Sequence, residues 1–140
     1  SAELQLSQSE EWKDKLVLLV EDDDDVRQVV RELLIKMGFN VIEASTAEEA
    51  LQLMGVLDGV FALVSDIRLN GEVNGFDLAD TFQVEHPGSR IVLMTGYAFD
   101  ENSERNDETA YRIIQKPFDI KELRDSFNAE DDVSNEREEP

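Results

Sequence analysis

The sequence predicts an α/β fold, a doubly wound parallel sheet covered by helices on both faces. Apolar runs of strand length recur five times, and the longest are continuous, as expected of strands buried on both faces. Between them, apolar residues repeat at spacings of three and four, which marks helices with one buried side. Strand and helix alternate, and right-handed crossovers between parallel strands then place helices on both sides of one sheet.

The elements follow in order. Leu16-Val17-Leu18-Leu19-Val20 reads as the first strand. Val26, Val29, Val30, Leu33, Leu34 and Met37 share one helical face, and Gly38 is placed to end that helix. Asp23 or Asp24 can cap its start, where acidic groups also suit the helix dipole. Val41-Ile42-Glu43-Ala44 is the second strand. Thr46 and Glu49 have capping-box spacing ahead of a stripe of Ala47, Ala50, Leu51 and Met54. Phe61-Ala62-Leu63-Val64-Ser65 is the third strand and stops at Asp66. Asn70, Gly71, Asn74 and Gly75 mark a loop, and Phe76, Ala79 and Phe82 form a helical stripe ended by His86-Pro87. Ile91-Val92-Leu93-Met94 is the fourth strand, Ile113-Ile114-Gln115 the core of the fifth, and Ile120, Leu123 and Phe127 mark a last helix.

One segment breaks the alternation. Asp100 to Thr109 contains no apolar residue, so a helix between the fourth and fifth strands has nothing to bury. Over 99–110 it is expected to be short, displaced or disordered.

The 140 residues suit a single domain, and 41% hydrophobic content is enough for a core. The ends lack apolar periodicity, so 1–15 reads as a leader or linker, 16–127 as the domain and 128–140 as an acidic tail. Trp12 in the leader is able to pack on the domain. Ser1 in place of Met reads as the start of a piece of a longer polypeptide. Thirteen basic against thirty-three acidic residues give a net charge of −20, which argues against nucleic acid and against direct contact with an anionic membrane. The absence of cysteine excludes disulfides, thiolate metal sites and cysteine nucleophiles. With neither a signal peptide nor an apolar span, a cytoplasmic location is expected.

In doubly wound sheets the functional residues gather beyond the carboxyl ends of the strands. Here those ends carry Glu21 and Asp22, then Asp66, then Thr95, then Lys116 followed by Pro117. Each has an ordinary structural explanation alone: the acidic run caps a helix, and Asp66 opens a turn. Together, and with the first and third strands adjacent, they set three carboxylates, a hydroxyl and an ammonium on one rim. Oxygen ligands with net negative charge suit a hard divalent ion such as magnesium.

Leu18-Leu19-Val20-Glu21-Asp22-Asp23, Ser65-Asp66-Ile67-Arg68-Leu69, Met94-Thr95-Gly96-Tyr97-Ala98 and Gln115-Lys116-Pro117-Phe118 resemble the receiver domain of two-component response regulators. The resemblance covers about residues 15–127 and implies a (βα)5 flavodoxin-like sandwich with strand order 2-1-3-4-5. It implies Asp66 as phosphoryl acceptor, with Glu21, Asp22, Asp66 and the Arg68 carbonyl as magnesium ligands. Thr95 would hydrogen-bond the phosphoryl group and Lys116 would pair with it. The donor would be a histidine kinase or a histidine phosphotransfer protein, and the chain itself a signalling module, not an enzyme. An acidic tail in place of an output domain is compatible with a stand-alone receiver or with the carboxyl end of a hybrid histidine kinase.

The departures are specific. Asn70 replaces the family's proline after the acceptor, and the loop to Gly75 looks a residue longer. Ile113 stands at the aromatic switch position three residues before the lysine. The weak helix before the fifth strand leaves the usual pairing face incomplete, so a monomer is expected. Partner docking is expected on the flank of the first helix, around Ile35, Arg27 and Arg31. His86, the single histidine, is expected at the surface, far from the rim. Two other readings are an aspartate-nucleophile phosphatase and a receiver-like binding module that is not phosphorylated. Such phosphatases need a second acid two residues after the nucleophile, where this chain has Arg68.

Overall fold

The computed structural model describes residues 11–96 and 111–128. Five strands form one parallel sheet: β1 (Leu16–Val20), β2 (Asn40–Ala44), β3 (Val60–Asp66), β4 (Arg90–Thr95) and β5 (Arg112–Gln115), in the order β2-β1-β3-β4-β5. Four helices are described: α1 (Asp24–Lys36), α2 (Ala47–Val56), α3 (Gly75–Glu85) and α4 (Ile120–Ser126). The expected weak helix at 99–110 lies outside the described residues. No described helix is long and apolar enough to cross a membrane.

The strands supply two cores because their side chains alternate between faces. Val17, Leu19, Ala62, Val64, Val92 and Met94 face Val30 and Leu34 of α1 and Leu123 of α4. Leu18, Val20, Leu63 and Leu93 face Ala50 and Met54 of α2 and Phe76, Ala79 and Phe82 of α3. Helices therefore cover both faces, α1 and α4 on one and α2 and α3 on the other.

The helix starts are chemically fixed. Asp23 accepts from the N–H groups of Asp25 and Val26, both at 3.0 Å. Asn74 and Asp77 form a reciprocal capping box at α3, and Asp119 and Glu122 form another at α4. At α2, Thr46 accepts from the Glu49 N–H, but the Glu49 carboxylate reaches past Thr46 to the Ser45 N–H at 2.9 Å. The spacing is that of a capping box; the return bond is displaced by one residue.

Three sequence expectations need correction. Val29 is 57% exposed, although it falls within the apolar stripe of α1. At about 100° per residue it sits at the edge of that stripe, while Val30, Leu34 and Met37 are buried and Val26 and Leu33 pack beside them. Asn74 and Gly75 are not loop residues but the cap and first residue of α3. His86 is half-buried: its ring stacks on Phe82 at 4.9 Å and its Nε2 lies 3.0 Å from the Met54 carbonyl, joining the ends of α2 and α3.

Trp12 is buried before β1. It stacks on Phe39 at 5.6 Å and meets Phe127 edge-on at 5.8 Å, with Phe61 alongside at 6.4 Å. Arg90 lies over the Phe61 ring at 4.7 Å and donates to the Phe127 carbonyl at 2.7 Å.

Candidate functional site

β1 and β3 are adjacent, with Val20 opposite Ser65, so the residues that follow emerge side by side. Glu21 and Asp66 carry on the alternation of Leu19 and Val64, and Lys116 that of Ile114, towards the face covered by α1 and α4. Glu21, Asp22 and Asp66 each offer a carboxylate oxygen, all within 4.8 Å of one another. Glu21 is 1% exposed and Asp66 7%, whereas Asp22 is half-buried.

Lys116 joins two of these acids. Its Nζ lies 2.9 Å from Glu21 Oε1 and 3.3 Å from Asp66 Oδ2. Its main-chain N–H donates to the Thr95 carbonyl at 2.7 Å, and the Lys116–Pro117 peptide is cis. Thr95 ends β4 beside the site, half-exposed, and Arg68 stands in the exposed loop after β3.

The charges oppose one another. Burial pushes the Glu21 carboxyl up from its ordinary value; Lys116 and the Asp23 N–H counter this, and the Asp66 charge adds to it. Burial alone would lower Lys116, yet its hydrogen bond to Glu21 and the charges of Asp66 and Glu21 raise it. The ammonium is therefore held charged between Glu21 and Asp66, and the three carboxylates together outweigh it. All the donors are oxygen, and the excess is negative. That donor set fits a hard divalent cation.

Backbone contacts fix the end of β3. Ile67 N–H donates to the Met94 carbonyl at 2.9 Å, and Gly75 N–H donates to the Ile67 carbonyl at 2.8 Å. The first turn of α3 consequently lies against the main chain of Asp66. A Cβ on residue 75 would stand 2.3 Å from the Asp66 carbonyl oxygen and 2.8 Å from the Ile67 Cα, so only glycine fits. The loop signal at Gly75 concealed this close approach.

The family model of the response regulator receiver domain matches residues 17–128. The chain belongs to this family. Over 109 residues the receiver domain is 36% identical to the sensor kinase CckA of Brucella abortus, covering 76% of this chain but 11% of that protein. A solved receiver domain protein from Methanospirillum hungatei is 26% identical, with a TM-score of 0.71 over 89% of this chain and 99% of that one. The response regulator TrrA of Thermotoga maritima, solved in complex with Mg(2+)-BeF, has the same fold, with a TM-score of 0.70 at 24% identity over 82% of this chain and 97% of that one. The receiver domain is a signalling module, and receivers work with histidine kinases or phosphotransfer proteins.

Proposed function

We propose that this receiver domain takes a phosphoryl group onto Asp66 from the phospho-imidazole of a histidine kinase or histidine phosphotransfer protein. The observation that carries this reading is the junction of Lys116 with Glu21 and Asp66 at 2.9 and 3.3 Å, beside three convergent acid oxygens. An Asp66 oxygen would form the new O–P bond as the P–N bond breaks, the electron pair leaving with the imidazole nitrogen. A carboxylate is a weak nucleophile, and it approaches an anionic group, so positive charge must be held on both sides.

Glu21, Asp22, Asp66 and the Arg68 carbonyl would hold the metal. Magnesium, as bound with BeF in the Thermotoga protein, would supply neutralisation of the phosphoryl oxygens. Lys116 supplies a compact charge already placed against Asp66. Thr95, at the neighbouring strand end, would donate its hydroxyl to the phosphoryl group.

The docking surface is read as the exposed flank of α1, where Val29 and Ile35 are 57% and 45% exposed and Arg31 is accessible. Arg27 does not belong to that surface, since its guanidinium is committed to Glu21, Asp24 and Glu43. The domain is read as a cytoplasmic monomer, bounded near residues 16 and 127 and suited to a hybrid histidine kinase or a stand-alone receiver. Incubation with magnesium and a small phosphodonor should add one phosphoryl mass to the wild type and none to Asp66→Asn. Equal labelling of both proteins would overturn the reading.

A further inference from the structure

Resting on the metal reading above, we infer that Arg27 is a positioning residue that holds the Glu21–Asp22 peptide in the geometry metal binding requires. Arg27 lies in the first turn of α1 with its side chain only 17% exposed. Its Nη1 donates to the main-chain carbonyl of Glu21 at 2.8 Å. Its Nη2 bonds Asp24 at 2.6 Å, and its Nε lies 3.4 Å from Glu43 on β2. The planar fork thus spans the strand end, the helix start and the neighbouring strand, which a point charge cannot do.

The main chain of Glu21 is held on both sides, through the peptide units before and after its Cα. Its N–H donates to the Ala44 carbonyl at 3.1 Å, and its carbonyl receives Arg27. That carbonyl belongs to the peptide unit leading into Asp22, so its direction sets the direction of the next residue. The Glu21 side chain is tied separately, to the Asp23 N–H at 3.2 Å and to Lys116. The orientation of the Asp22 backbone therefore depends on the Arg27 fork.

The sign of the effect separates positioning from charge. Arg27 is a cation bonded to the main chain of one of the acids, so on Coulombic grounds its removal should tighten magnesium binding. On positioning grounds its removal should weaken binding. Magnesium titration by calorimetry on the full chain, with thermal melting in the absence of metal, tests this in wild type, Arg27→Met, Arg27→Lys and Arg31→Met. Arg31 is a matched charge on the same helix, 3.5 Å from Glu43. The expected result is magnesium binding weakened by roughly tenfold or more in both Arg27 variants, as for outer partners of metal ligands. Arg31→Met should bind as wild type or tighter. Unchanged or tighter binding in Arg27→Met, or full rescue by lysine, would overturn the inference. If the methionine variant fails to fold, the lysine variant decides. No magnesium binding by wild type would overturn the metal reading itself, a distinct outcome.

Discussion

The two edges of the parallel sheet are made of opposite materials. At the carboxyl edge, Glu21 and Asp66 are buried as ionisable groups around a single ammonium. At the amino edge, Trp12, Phe39, Phe61 and Phe127 stack into one aromatic group, with Phe39 and Phe127 5.3 Å apart. The same strands run between them. Aromatic burial contributes stability whatever the ligand, whereas the buried Glu21 carboxylate carries a desolvation cost that Lys116 only partly offsets. The amino edge thus adds apolar packing to the two cores, while the carboxyl edge carries the charge that the proposed cation would neutralise.

The largest expected effect falls on the amino edge alone. Trp12→Ala should lower stability by about 3–5 kcal/mol, as for other buried aromatics, with magnesium affinity unchanged in the folded protein. Denaturant unfolding and calorimetry check the two halves separately. Loss of magnesium binding in folded Trp12→Ala would show that the edges are not independent.

Gly75→Ala should act on both properties. The new Cβ would collide with the Asp66 carbonyl, costing about 1–3 kcal/mol and displacing Asp66. Slower labelling by a phosphodonor, with magnesium saturating, is the distinguishing measurement. Labelling at the wild-type rate would mean that the backbone yields without moving Asp66.

Magnesium should stabilise wild type by about 2.7 kcal/mol at one hundred times its dissociation constant. Trp12→Ala should keep that increment, and Asp22→Ala should lose most of it at the same concentration. Melting curves with and without metal read this directly.

The smallest effect is a gain. Glu21→Gln should stabilise the metal-free protein by about 1 kcal/mol near neutral pH while weakening magnesium binding. Burial raises the folded carboxyl above its unfolded value, so the folded state holds the proton more tightly. Its favourable contribution is present below the unfolded pKa and is lost as pH rises through the folded one. The advantage of glutamine should therefore shrink as pH falls through the carboxylate range. A constant advantage across that range would assign the gain to packing.

These contrasts also explain what the sequence revealed. Strand ends were legible because apolar runs give way within one residue to Glu21, Asp66 and Lys116, and alternation assigns their face from neighbours one or two residues away. The close approach of Gly75 to Asp66 was not, because it joins residues across a loop and leaves no local pattern. Arg27 read as a docking residue for the same reason: its partner on β2 is remote in sequence, and its main-chain partner has no side-chain signature. Val29 fitted the helical period, but the period does not say how wide a stripe the sheet covers. Trp12 had the size to pack, while its partners Phe39, Phe61 and Phe127 are gathered only by the fold.

The most direct test of the central claim is the position of the phosphoryl group. Protein charged with magnesium and a phosphodonor would be reduced with borohydride, which converts an aspartyl phosphate to homoserine, and then mapped by peptide mass spectrometry. The predicted result is homoserine at position 66 and nowhere else. Homoserine at another aspartate, or charged protein with residue 66 unchanged, would contradict it.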